Sequence, residues 1–170
     1  MLKITLPALL LVVFPAFAAP TVSVGFSPSH TALQNVLSVV NDASTSLDVE
    51  AYSFTSKPIA TAIIAAKKIG VNVRVVADKK ANGDRYSAVT YLANNHVAVR
   101  LNSRYAIMHN KVMIADGSTV QTGSFNYTAS ADSRNAENSI VLRGVPQIAA
   151  QYEKEFNRLW AESEVLAPAY

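Results

Sequence analysis

The chain has 170 residues, half of them hydrophobic and 16% charged, with 15 Lys plus Arg against 12 acidic residues, a formal charge of +3. That suits one globular domain and gives no reason for a second, while the basic excess suits polyanions but is too small to establish binding. The absence of cysteine excludes disulfides and thiolate metal sites and leaves the compartment open.

The first twenty residues, MLKITLPALLLVVFPAFAAP, carry Lys3, an apolar run from Ile4 to Phe14, Pro15, and then Ala16-Phe17-Ala18. A basic start, a short apolar stretch and an A-x-A site describe a secretory signal peptide. The run is too short for a comfortable membrane span. Residues 1–18 are therefore expected to be removed, leaving a domain over 19–170 in the periplasm or outside the cell, with no stable membrane insertion.

Beyond the leader, strand and helix patterns alternate. TVSVGF (21–26) reads as a strand, and Leu33, Val36, Leu37 and Val40 recur at helical spacing between Thr31 and Asn41. SLDVEAYSF (46–54) alternates as a strand. Residues 59–68 predict a helix that Gly70 ends. VNVRVVAD (71–78) is a strand, Tyr86 to Asn94 a helix, and VAVRLN (97–102) another strand. Two apolar runs joined by Asp116-Gly117 follow, then a strand at 139–142. A closing amphipathic helix carries Val145, Ile148, Ala149, Tyr152, Phe156, Leu159 and Trp160 on one face. This order predicts an α/β fold, a single domain with a mixed β-sheet sandwiched by helices.

The polar residues concentrate in MHNKVMIADGSTVQTGSFNYT, residues 108–128. With Asp116-Gly117 as a two-residue hairpin loop, Lys111 faces Thr122 and His109 faces Ser124. With Gly117-Ser118 as the loop, His109 faces Asn126. Either register brings the Gly-Ser-x-Asn run beside His109, and period-two alternation puts His109 and Lys111 on one face. Asp116 lies too far away for chemistry with His109, roughly 23 Å along a straight strand at about 3.3 Å per residue. It is the residue that builds the turn. Glu137, reached by the loop after Asn126, is the better carboxylate to hold an imidazole tautomer.

His109-x-Lys111, four residues, Asp116, six residues, then Gly123-Ser124-x-Asn126 resembles the HKD signature of the phospholipase D superfamily. SLDVEAYSFT and KKIGVNVRVVAD resemble its upstream segments, and Asn135 with Glu137 resembles its downstream N-x-E. The resemblance implies a phospholipase D-like fold and a phosphodiesterase working through a phosphohistidine. By position it makes His109 the nucleophile or general acid, and Lys111 and Asn126 the phosphate ligands. Ser124 would support the site, Glu137 would orient the histidine, and Asp116 and Gly123 would be structural.

These residue types suit the chemistry. Lys111 offers charge, and Asn126 a directed N–H, to non-bridging oxygens as charge builds there. An imidazole, ordinarily titrating near about 6.5, can attack phosphorus at neutral pH and form a covalent intermediate. Attack and departure are roughly in line, so the leaving oxygen needs its proton from the opposite side. One histidine cannot stand on both sides, and His-x-Lys occurs once in the chain. A two-fold homodimer with a shared active site, its two His109 rings facing across one phosphate, resolves this. The pair would titrate as a coupled unit. No cofactor and no metal are expected, because a lysine in the middle of the cluster would repel a cation.

Other polar residues carry weaker readings. His30 and His96 are expected to be solvated or to cap, and Gly-Ser-Phe-Asn lacks the elbow that would make Ser124 an acyl-transfer nucleophile. Lys67-Lys68 and Lys79-Lys80 read as solvated surface or as a phosphate-tracking stripe. Arg104, Tyr105 and Tyr127 read as a cleft rim or as packing, and Trp160 as core or dimer surface. A small, secreted, single-motif chain resembles the family's bacterial endonuclease branch, which implies cleavage of DNA, with RNA open, and little sequence preference. The alternative is a phospholipase D-type lipid hydrolase using the same residues. A third possibility is a non-catalytic envelope-binding protein that keeps the fold.

Overall fold

The computed structural model describes residues 19–84 and 87–169, so the proposed signal peptide lies outside the described residues. Alternating apolar segments form β1 (Thr21–Ser27), β2 (Ser46–Ala51), β3 (Asn72–Asp78), β4 (Ala98–Asn102), β5 (Lys111–Ala115), β6 (Thr119–Gly123), β7 (Glu137–Arg143) and β8 (Glu164–Val165). Between them run α1 (Thr31–Asp42), α2 (Lys57–Lys68), α3 (Ala88–Asn94), α4 (Ala129–Ser133) and α5 (Pro146–Ala161). The eight strands form one sheet in the order β1-β7-β6-β5-β2-β3-β4-β8. Pairs β2–β3 and β3–β4 are parallel and all other neighbours are antiparallel. The expected mixed sheet between helices is what forms.

Local sequence explains the helix limits. Pro58 occupies the first turn of α2, where a missing N–H costs nothing. Gly70, at φ 99°, ends it, with the Gly70 N–H donating to Lys67 O and the Val71 N–H to Ala66 O. In α3 the Ser87 hydroxyl caps by accepting from the Thr90 N–H; Tyr86, expected within this helix, lies outside the described residues. On one face of the sheet, Val36 and Val40 of α1 and Ile59 and Ile63 of α2 pack on Leu47, Val49, Val73 and Val75. On the other, Phe156 and Leu159 of α5 cover Val76, Val112 and Ile114. Burial on both faces makes β2 almost wholly inaccessible.

One expectation needs correction. The hairpin follows neither proposed register. Asp116 and Gly117 take positive φ of 52° and 61°, and the Ser118 N–H donates to Ala115 O, as in a type I′ turn. Yet Ala115 pairs with Thr119 and Met113 with Gln121, so Ser118 is an extra residue. Its carbonyl accepts instead from Val145 N, at the start of α5. Of the two readings of Tyr127, packing is the one that holds: it is fully buried, packed edge-on against Phe54 with centroids 5.6 Å apart, and its hydroxyl donates to Gln121 Oε1. The sequence reading also omitted α4 and β8, each too short to show a period.

Candidate active site

Topology gathers the polar residues at one end of the sheet. Ala51, ending β2, pairs with Lys111, which opens β5; Gly123, ending β6, pairs with Ser139 near the start of β7. The carboxyl end of parallel β2 and the turn-backs of three antiparallel neighbours thus meet at one edge, where open α/β sheets place their ligand sites. A cleft of about 520 Å³ lies there, bordered by His109, Lys111, Ser124, Asn126 and Glu137. Glu50 of β2 and Tyr152 and Glu155 of α5 complete its walls.

The segment before β5 is held by three bonds from the rest of the sheet. The Met108 N–H donates to Asp78 Oδ2 at 2.8 Å, the Asn110 carboxamide donates to Glu50 Oε2 at 2.8 Å, and the Tyr52 N–H donates to Asn110 O at 3.0 Å. His109 is left between two fixed neighbours with its side chain exposed to the cleft. Lys111 is only 6% exposed, and Nζ donates to the His109 carbonyl at 2.5 Å. Burial draws its ammonium below the ordinary lysine value, with the Glu137 charge opposing. The Tyr52 ring touches both residues, 4.6 Å from the His109 ring centroid and 5.2 Å from Lys111 Nζ.

The second half of the motif is equally constrained. Thr55 N and Ser56 N both donate to Tyr127 O, tying the loop after β6 to the segment after β2. Ser124 Oγ donates to Glu137 Oε2 at 2.6 Å and accepts from the Asn138 N–H at 3.0 Å. Asn135 Nδ2 donates to Glu137 Oε1 at 2.9 Å. Both carboxylate oxygens of Glu137 are therefore engaged by Ser124 and Asn135, and no hydrogen bond joins Glu137 to His109. Asn126 keeps a buried Oδ1 without a partner at the cleft wall.

Asp116 stands apart, at the opposite end of β5. Its carboxylate accepts from Ser44 N, Ser44 Oγ, Thr45 N and Ser46 N at 2.7 to 2.9 Å, clamping the turn to the α1–β2 loop. His30, at the start of α1, bonds Asp132 at 2.9 Å, remote from the cleft. Lys79 pairs with Glu164 and Tyr105 donates to Glu162, so neither borders the cleft. Trp160 stacks on Phe156 beneath α5.

Sequence reasoning passed over Glu50, Tyr52, Asp78 and Asn82. The available signal was SLDVEAY, where two carboxylates, Asp48 and Glu50, alternate within an otherwise apolar strand. Asn82 holds this stretch in place: Oδ1 accepts from Phe54 N and Nδ2 donates to Tyr52 O. Among the described residues, no three His, Asp or Glu side chains cluster as a metal site would require.

The family model described as "Cardiolipin synthase, PLD-like domain" matches residues 36–160. Phospholipase D of Rickettsia conorii is 34% identical over 137 residues, spanning 81% of this chain and 68% of its own. The mitochondrial cardiolipin hydrolase of Xenopus tropicalis is 33% identical over 134 residues, spanning 79% of this chain and 63% of its own. Among solved structures, the phospholipase D family member Nuc from Salmonella typhimurium superposes with a TM-score of 0.86 at 40% identity, covering 88% of this chain and 99% of that one. NucT from Helicobacter pylori shares the fold, with a TM-score of 0.79 at 23% identity over 87% of this chain and 100% of that one.

Proposed function

The chain belongs to the phospholipase D superfamily, whose members act on phosphodiester bonds, and we propose that it is a metal-independent endonuclease. The observation that carries the phosphodiesterase chemistry is the meeting of His109, Lys111, Ser124, Asn126 and Glu137 around one cleft. A histidine exposed to that cleft is free to attack, with a buried ammonium beside it to draw in an anion. The choice of nucleic acid draws support from the likeness to Nuc, 40% identical with a TM-score of 0.86. An open cleft also suits an extended polyanion such as DNA, with RNA a second candidate.

In the proposed reaction His109 Nε2 attacks phosphorus, forming a P–N bond as the P–O bond to the leaving strand breaks. The departing oxygen takes a proton from the dimer-related His109. That histidine then removes a proton from water, whose oxygen attacks phosphorus and releases His109. Lys111 and Asn126 hold the non-bridging oxygens throughout. The dimer draws support from an apolar row on edge strand β1, where Val22, Val24 and Phe26 are more than half exposed. The row continues across the ladder at Ile140 and Leu142 and ends where Phe26 pairs with Asn138. Export to the periplasm or beyond is proposed from the leader alone.

A lipid reading is favoured by the relatives named phospholipase D and cardiolipin hydrolase. Incubating supercoiled plasmid, phosphatidylcholine and cardiolipin side by side in EDTA, with His109→Ala as control, separates the two. Nicking lost in the variant supports the endonuclease. Lipid turnover without nicking replaces it with a lipid hydrolase, and loss of all activity in EDTA removes the metal-free mechanism.

A further inference from the structure

Glu50 lies in β2 directly beneath the reaction centre and is 1% exposed. Its ladder partners are Val112 on β5 and Val76 on β3, both in the apolar core under α5. One carboxyl oxygen, Oε2, accepts from Asn110 Nδ2, while Oε1 is buried without any partner. The same residue borders the cleft that holds His109 and Lys111. A carboxylate in this position would want several donors and has one. A neutral carboxyl group is far better accommodated.

We propose that Glu50 is a positioning residue that lowers the upper pH limit of phosphodiester cleavage. In its neutral form it tethers Asn110, the residue between His109 and Lys111, and so fixes the segment that carries both. Ionised, it places an unbalanced negative charge under the phosphate site, where it repels an anionic substrate. The proposal rests on the phosphodiesterase reading of the cleft and is indifferent to whether the diester is nucleic acid or lipid.

The charged surroundings favour the neutral form. Asp48, two residues earlier on β2, is already paired with Arg74. From α5, Glu155 and Glu162 both bind Arg158, and Tyr152 borders the cleft. The buried Tyr127 hydroxyl is committed to Gln121. Across the cleft stand His109, Lys111 and Glu137. Burial, reinforced by Glu155 and Asp48, outweighs the Asn110 bond and Arg158, and the carboxyl is pushed up to about 7.

The test compares pH–rate profiles of the purified full chain, Glu50→Gln and Glu50→Leu on bis(4-nitrophenyl) phosphate, with thermal midpoints across the same pH range. Glu50→Gln preserves the shape and cannot ionise, so the alkaline limb of kcat should move up by about one pH unit. Glu50→Leu removes the tether, and kcat should fall about tenfold below the pH at which Glu50 ionises, while the protein stays folded. Stability supplies an independent readout. The unfolded carboxyl ionises from about 4.5 upward while the folded one stays protonated until about 7, so the wild type should lose stability across that window and then level off. Glu50→Gln should lack this loss. An unmoved alkaline limb in Glu50→Gln, or full kcat in Glu50→Leu, overturns the proposal alone. No turnover of any diester by the wild type overturns the phosphodiesterase reading and the proposal together.

Discussion

Tyr52 lies against His109 with ring centroids 4.6 Å apart and planes inclined at 58°, and the same ring stands 5.2 Å from Lys111 Nζ. One aromatic side chain from the end of β2 therefore limits the motion of both the proposed nucleophile and the proposed phosphate ligand. Asn82 holds it there by donating to the Tyr52 carbonyl. Because the ring makes these contacts and not the hydroxyl, Tyr52→Phe should retain most activity. Tyr52→Leu should lower kcat about tenfold, since a misplacement of about 1 Å is costly in a positioned reaction. Steady-state kinetics on a chromogenic diester measures both, and equal activity in the two variants would remove the positioning role.

Asp116 should behave oppositely. Its four accepted hydrogen bonds join the β5–β6 turn to the α1–β2 loop, far from the cleft. Asp116→Ala should therefore cost about 2 kcal/mol of stability with kcat of the folded fraction unchanged. Hydrogen bonds from Ser46, Thr45 and Ser44 overcome the opposing effect of burial and hold the carboxyl below its ordinary range. Since the folded value is depressed, this contribution is complete above the unfolded value and is lost as pH falls through the folded one. Urea titrations at pH 7 and pH 3 should show the wild type converging on Asp116→Ala in acid. A constant gap between them would contradict the assignment.

The same contrast explains what could be read without coordinates. His109, Lys111, Ser124, Asn126 and Glu137 all fall within thirty residues, and local alternation with one tight turn was enough to bring them near each other. Even there the register was missed, because the bulge at Ser118 depends on a bond to Val145, beyond the hairpin. Glu50, Tyr52 and Asp78 enter the site only because β5 inserts beside β2, a pairing across about sixty residues that no local period announces. Helices α1, α2 and α5 were legible because one-sided burial imposes the 3.6-residue period, whereas the two residues of β8 carry no pattern.

Gly123 offers a test of how closely the two halves of the motif are packed. Its φ of 145° is rarely adopted by other residues, and an added Cβ would run into the Asn138 backbone carbonyl. Gly123→Ala should destabilise the protein by about 2 kcal/mol through strain at this position. It should also displace Ser124 from Glu137, so kcat should fall even at temperatures where the variant is folded. Circular dichroism melts paired with kinetics separate the two effects. Unchanged kcat in the folded variant would show that the Ser124–Glu137 bond is dispensable.

The two-histidine reaction makes its sharpest demand on assembly. In-line displacement requires an acid opposite the nucleophile, and one chain supplies a single His-x-Lys. Val24 is 55% exposed on edge strand β1, so an aspartate there should be tolerated by the fold while opposing burial of that face against a second copy. Val24→Asp is expected to run as a monomer in light scattering and to lose about a hundredfold in cleavage, the scale of a missing general acid. Refolding wild-type chains with an excess of His109→Ala chains should then suppress activity below the wild-type fraction, because each mixed dimer holds one histidine where the reaction needs two. A monomeric Val24→Asp protein with undiminished turnover would end the shared-site mechanism, since no second imidazole would be available to protonate the leaving oxygen.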